Sequence, residues 1–184
     1  MLIKKVNTFI LIVFLMIKNI NSDEIIFEKF HKDSLENWQF ISDQVMGGVS
    51  FGEFQIISRE SFSYLRMTGF VSLENNGGFI QVRKKIDKLN NKKFQEIKLK
   101  CRGNNNQYFI HIRTKFTILP WQYYQLGFFV SDSWNEIKLD LNDFKRSGKI
   151  LPKSIKSNHI TSIALVAFGK QQRVNLEVSE IIFY

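Results

Sequence analysis

Residues 97–113 read IKLKCRGNNNQYFIHIR. Ile97, Leu99 and Cys101 alternate with Lys98, Lys100 and Arg102. After Gly103-Asn104-Asn105-Asn106, Tyr108, Ile110 and Ile112 alternate with Phe109, His111 and Arg113. Successive side chains of a strand point to opposite faces, so a period of two marks half-buried strands. The same period recurs where Ile137, Leu139 and Leu141 alternate with Glu136, Lys138 and Asp140, and where Val174, Leu176 and Val178 alternate with Asn175, Glu177 and Ser179. Segments 62–70, 79–86, 122–130 and 160–168 have strand character with a less clean pattern. Turn residues separate the runs: Gly52, Asn75-Asn76-Gly77-Gly78, Asn90-Asn91 and Gly148. No long stretch has helical periodicity. Pro120 and Pro152 fall between strands, where a missing amide is tolerated. Many short strands at this spacing predict an all-β protein, an antiparallel β-sandwich or jelly roll. Its interior would take Ile97, Leu99, Tyr108, Ile110, Ile112, Leu139, Leu141, Leu176 and Val178.

The chain has 184 residues, with 26 basic and 17 acidic side chains. Its start carries Lys4 and Lys5, an apolar run from Phe9 to Ile17, a closing Lys18 and the polar segment Asn19-Ile20-Asn21-Ser22. A charged start, a short apolar centre and a small residue at the end are the layout of a secretory signal peptide. Residues 1–22 are therefore expected to be cleaved, leaving an exported protein, periplasmic or secreted, with no stable membrane span. The alternative is an uncleaved N-terminal anchor, but the run falls well short of the roughly 20 apolar residues a span needs. Residues 1–22 hold three lysines and no acid, so residues 23–184 keep 23 basic and 17 acidic groups, net +6. That length makes one domain with a sizeable core. The single cysteine, Cys101, allows no internal disulfide. Packing must hold the fold; the chain has eighteen phenylalanines, sixteen of them in residues 23–184, to supply it.

Four of the ten glycines form two pairs, Gly47-Gly48 in ISDQVMGGVS (41–50) and Gly77-Gly78 in SLENNGGFIQVR (72–83). A phosphate cradle needs glycines leading into a helix N-terminus, usually with Lys-Ser or Lys-Thr. Neither pair has that context. Glycine also permits positive φ and close backbone approach, so the pairs are expected to be structural turns. Asp43 and Asn75 would hold them through side-chain to backbone bonds. Trp38 with Ser42–Ser50, and Gly69–Phe79 ending at Arg83, resemble the two glycine motifs of the complex I intermediate-associated protein 30 family. Asp43, Met46, Gly47 and Gly48 carry the first motif; Asn75, Asn76, Gly77 and Gly78 carry the second. Arg102-Gly103 with Tyr108, Trp134 with Asp143-Phe144, and Leu176-Glu177-Val178 with Ile181 fit the family in order. The resemblance spans roughly residues 27–184. It implies a galactose-binding-like jelly roll, also used by carbohydrate-binding modules, and a non-catalytic role. Mitochondrial members of the family are chaperone-like assembly factors for NADH:ubiquinone oxidoreductase. The export leader sets this chain apart from that matrix setting.

The three histidines, His31, His111 and His159, have no partner at metal-ligand spacing, so no zinc site is expected. Ser50 lacks the Gly-x-Ser-x-Gly context of a nucleophile elbow. No catalytic residue and no cofactor is nominated. A structural calcium, if present, would draw on Asp43, Glu74 or Glu177. The lysines are scattered, without the basic run and interleaved aromatics of a nucleic-acid binder, so no nucleic-acid partner is expected. The candidate ligand-binding residues are Phe79, Gln81, Arg83, Phe109, His111 and Arg113, at the non-core positions of two strands. If those strands adjoin, rings for stacking meet planar groups for hydrogen bonding. Trp121, Tyr123 and Tyr124 are open between core, rim and binding roles. Two function classes follow: a protein-binding assembly factor, and a carbohydrate-binding module whose partner is a glycan.

Overall fold

The computed structural model describes residues 24–86 and 93–184. The leader at 1–22 and the turn at Asn90-Asn91 lie outside the described residues. The strands are β1 (Ile25–Lys29), β2 (Trp38–Ser42), β3 (Phe51–Ser58), β4 (Ser63–Val71), β5 (Phe79–Lys85) and β6 (Glu96–Gly103). They continue with β7 (Asn106–Thr114), β8 (Tyr124–Val130), β9 (Asn135–Asp140), β10 (Lys145–Arg146), β11 (Ile160–Phe168) and β12 (Gln172–Phe183). Among the described residues the helical pieces are short 3₁₀ turns.

The strands form two six-stranded sheets, both antiparallel throughout. The first runs β3-β4-β12-β6-β9, with β1 also on β12. The second runs β10-β8-β7-β11-β5-β2. Strand β12 organises the first sheet: β4 pairs with its Gln172–Val178 half, β1 with its Glu180–Phe183 end, and β6 with its other side. The protein is thus the all-β jelly-roll sandwich that the alternation predicts. All nine side chains expected inside are buried, none more than 5% exposed. At about 25 cal/mol per Å² of apolar surface, the burial of such layers is what stabilises a chain without disulfides. The Cys101 thiol is buried among them, and burial pushes its pKa up to about 12. It is an inert core group rather than a nucleophile.

The stretch 97–113 does not fold back on itself. Its first run ends β6 in the first sheet, and its second run is β7 in the second sheet. The chain crosses between sheets at Gly103–Asn106, with Asn105 at φ 53°. A Cβ on Gly103 would lie 2.5 Å from the Asn175 carbonyl oxygen, so only glycine fits that approach.

Two buried carboxylates tie strands together. Glu28 on β1 accepts from Trp38 Nε1 at 3.2 Å, Ser34 Oγ at 2.9 Å and Lys84 Nζ at 2.6 Å, linking the two sheets. Glu177 on β12 sits between Arg66 of β4 and Arg102 of β6, and pairs with both. Arg102 in turn lies over the Trp134 ring, 5.0 Å from its centroid.

Candidate binding face

Register places the six candidate residues on the outer surface of the second sheet. The two strands that carry them do not adjoin, contrary to the condition set above. Strand β11 lies between β7 and β5. Across it, His111 stands opposite Ala164 and Ala164 opposite Arg83. In the next row Phe109 faces Val166 and Val166 faces Gln81. Arg113 faces Ser162, and Phe79 faces Phe168. The outward residues of β11 at these rows, Ser162, Ala164 and Val166, are small and buried. The longer side chains of β7 and β5 flank these small groups from either side and cover them. Strands are about 4.8 Å apart, so the backbones of β7 and β5 lie roughly 10 Å from each other.

The four polar candidates have different fates. Arg113 is engaged by the loop that follows it. Its Nη2 donates to the Thr117 and Leu119 carbonyls at 2.9 and 3.0 Å, and its Nη1 to the Pro120 carbonyl at 3.5 Å. Burial, with the Arg83 charge nearby, lowers its pKa. His111 is buried under Tyr123, whose ring stacks on the imidazole at 4.1 Å with an 8° tilt. Burial drives the imidazole pKa down to about 4, against a smaller opposing pull from Gln125. His111 Nε2 and Gln125 Oε1 are both buried, on facing residues of β7 and β8, and neither forms a hydrogen bond of good geometry. Arg83 is half-buried, and its Nη2 approaches Gln39 Oε1 at 3.5 Å. Gln81 is half-buried on the same strand. The aromatic candidates meet at Phe168: Phe109 packs edge-on to it at 5.9 Å, and Phe79 is its cross-strand neighbour.

The row through His111 reads Lys145, Gln125, His111, Ala164, Arg83, Gln39 from edge to edge. It holds cations and amides and no carboxylate. Sequence reasoning missed Gln39 and Gln125 on this face, and left Tyr123, which stacks on His111, open between core, rim and binding roles. Gln39 lies in a five-residue strand too short to show a period, and Gln125 shares a strand with Gly127, which interrupts the pattern. Trp121 is exposed, and Tyr124 is core, its hydroxyl donating to the Pro152 carbonyl at 3.0 Å.

The glycine motifs lie where the chain passes between sheets, and Asp43 joins them. Asp43 is fully buried. It accepts from the Ser50 amide and hydroxyl in the first loop, and from the Gly78 and Phe79 amides at 2.6 and 3.2 Å in the second. Burial alone would raise its pKa, but these four donors outweigh it and hold the carboxyl below the ordinary value. Each pair holds one glycine in a positive-φ conformation, Gly47 at 91° and Gly78 at 141°. The other glycine makes room for the carboxylate. A Cβ on Gly48 would lie 2.4 Å from Asp43 Cγ, and one on Gly77 2.5 Å from Asp43 Oδ2. Asn75 and Asn76 take φ of 54° and 56° in the turn before Gly77. Met46 is exposed at the tip, with Val45, Val49 and Leu73. With Asp43 satisfied by amides and Glu177 by two guanidiniums, neither is free to ligate calcium. Among the described residues no cluster of acids, histidines or cysteines could hold a metal ion. The first sheet's outer surface carries a groove of about 570 Å³ lined by Phe62, Trp134, Lys100 and Glu180 among others.

Comparison with solved structures gives the same architecture. A family 11 carbohydrate-binding module from Clostridium thermocellum, in complex with a β-1,3-1,4-mixed-linked tetrasaccharide, aligns with a TM-score of 0.69 at 14% identity. The match covers 87% of this chain and 94% of that one. The family 11 module of a cellulosomal cellulase from C. thermocellum aligns with a TM-score of 0.68 at 14% identity, over 87% and 93% of the two chains. A family 30 carbohydrate-binding module aligns with a TM-score of 0.51 at 11% identity, over 74% and 91%. At these identities the likeness is one of fold. No curated protein matches the sequence. The profile of complex I intermediate-associated protein 30 matches residues 27–178, the stretch that contains both glycine motifs and the Asp43 clasp. The chain is a member of the complex I intermediate-associated protein 30 family.

Proposed function

We propose that this protein is a non-catalytic binding protein, exported after loss of residues 1–22, whose ligand is a glycan lying across the outer face of β7, β11 and β5. One observation carries the reading: half-buried Arg83, Gln81 and Phe109 gather on one outer face about the small residues of β11, with Gln39 exposed at the rim. Planar amides and a guanidinium hydrogen-bond to hydroxyl groups in two directions at once, and ring faces stack on the apolar side of a sugar. The solved modules of similar fold support the class. Arg113 and His111 act as supports of this face rather than as ligand contacts. Affinity electrophoresis through gels containing mixed-linked β-glucan, xylan, galactan or polygalacturonate tests the reading. Retardation by at least one polysaccharide, without release of reducing ends, is the expected result. Equal mobility in all gels, or cleavage of the retarding glycan, would overturn it.

The second reading is an assembly factor that binds a protein client, as the family name suggests. The observation that favours it is the exposed apolar tip formed by Val45, Met46, Val49 and Leu73 at the glycine motifs. Apolar tips held by a rigid clasp suit a protein surface. Loss of client capture in Met46→Asp, with glycan retardation unchanged, would favour this reading over the first.

A further inference from the structure

At the end of the second sheet opposite the glycine motifs, two loops present apolar side chains to solvent. Residues 115–123 join β7 to β8, and residues 147–159 join β10 to β11. Ile118 is 84% exposed, Trp121 68% and Ile150 90%. These are protruding tips rather than a half-covered core, because each loop is pinned from beneath. Arg113 holds three carbonyls of the first loop, and Gln122 Oε1 accepts from the Ile118 and Leu119 amides at 2.9 and 3.0 Å. Arg146 Nη1 donates to the Lys149 and Leu151 carbonyls at 2.8 and 2.6 Å, so Leu151 is buried while Ile150 points out. The loops adjoin: Ser147 Oγ donates to the Trp121 carbonyl at 3.1 Å, and the Ser147 amide donates to the Tyr123 carbonyl at 2.9 Å.

Within the two loops and β10 every charged side chain is basic. Lys115, Lys145, Lys149, Lys153 and Lys156 are exposed on the same two connections and the adjoining β10. The sequence has no Asp or Glu from 97 to 131 or from 144 to 176, the spans that supply these loops. Lys115 and Lys156 both bear on His159, whose pKa is lowered by desolvation and by these two charges. The Lys115 amide donates to the His159 carbonyl at 2.9 Å, which fixes that neighbourhood.

We propose that this end of the molecule docks onto an anionic lipid bilayer, with Ile118, Trp121 and Ile150 entering the interface and the lysines meeting the headgroups. Exposed apolar side chains, Phe116 and Leu119 with the three tips, flanked by long cationic side chains match a surface that is apolar inside and negatively charged at its rim. Tryptophan favours that boundary, having an apolar ring and one polar N–H. A protein partner would call for charges of both signs, which these two loops do not offer. Because both loops are already held by hydrogen bonds, little order has to be gained on docking.

Flotation of the purified protein with vesicles tests this, using phosphatidylcholine alone and phosphatidylcholine mixed with phosphatidylglycerol. Every variant is compared with wild type of the same N-terminus, so any contribution of residues 1–22 cancels. Wild type is expected to float only with the anionic vesicles and to lose most binding between about 0.1 M and about 1 M salt, as the Debye length falls from about 10 to about 3 Å. Ile118→Asp/Ile150→Asp should lower binding at least about tenfold through the lost apolar insertion. Lys149→Glu/Lys153→Glu should lower it by a similar factor through reversed charge. Arg83→Ala should leave it unchanged. No flotation of the wild type would overturn the proposal. So would Ile118→Asp/Ile150→Asp binding as well as wild type, which would reduce the contact to general attraction for polyanions.

Discussion

Asp43 decides how the two glycine motifs must be read. The sequence predicts that both pairs are turns, from the asparagines beside one and the lack of a following helix beside both. It could not show that a single carboxylate joins them, because the contact from Asp43 to Gly78 spans 35 residues and leaves no periodic trace. Asp43→Asn puts an amide where four donors converge, and should cost about 2–4 kcal/mol in urea denaturation at pH 7. The folded pKa of Asp43 lies below its unfolded value. Its contribution is therefore complete above about pH 4 and fades as pH falls through the folded pKa. The gap between wild type and Asp43→Asn should close in acid. Gly48→Ala and Gly77→Ala should each cost about 1–3 kcal/mol by forcing a methyl against that carboxylate. Gly148→Ala, with nothing within 4 Å of the added carbon, should cost little by the same measurement.

Alternation within a strand told which side chains were core, and it told nothing about which strands are neighbours. Phe79, Gln81 and Arg83 share a face with Phe109, His111 and Arg113, but the intervening β11 was invisible as a partner because pairing is set by the path of the whole chain. Its residues 160–168 are apolar on both sides, as befits a central strand, so its outward row could not be picked out. Strand β3 was missed because it lies at the sheet edge, with Phe51 exposed and Gly52 inside the run. The two arginines of the candidate face also looked equal in sequence, and the loop separates them. Arg113→Ala removes the donor for three loop carbonyls and should lower stability by about 1–3 kcal/mol. Arg83→Ala should leave the melting temperature nearly unchanged and weaken glycan binding by at least about tenfold. Thermal melts and affinity electrophoresis of the pair read both effects. His111 supplies a further test at this scale. Its folded pKa of about 4 lies below an unfolded value near 6.5. The folded state therefore resists protonation, and stability should fall as pH drops from about 6.5 through about 4, by about 3 kcal/mol in total. In His111→Gln, stability measured over that range should be flatter.

For the whole molecule, the fold was legible in the sequence because a jelly roll without disulfides must bury one face of nearly every strand. Leu176, Val178, Ile110 and Ile112 obey that requirement and lie at the centre. A ligand face has no such obligation: its residues need only be outward and compatible with water, a condition that many surface positions meet. Of the four polar residues put forward on this face, Arg113 is engaged by its own loop and His111 is covered by Tyr123, while Arg83 and Gln81 are half-buried. The Asp43 clasp fixes the crossovers at one end, the pinned loops fix the other, and the outer face of β11 with its neighbours lies between them. Amide chemical-shift mapping of the ¹⁵N-labelled protein, titrated with oligosaccharides of the glycan that retards it most, tests where a ligand sits. The shifts should gather at Gln39, Gln81, Arg83, Phe109, Ala164 and Val166. Shifts gathered instead at the Phe62 and Trp134 groove of the first sheet, or no shifts with any oligosaccharide, would contradict the account.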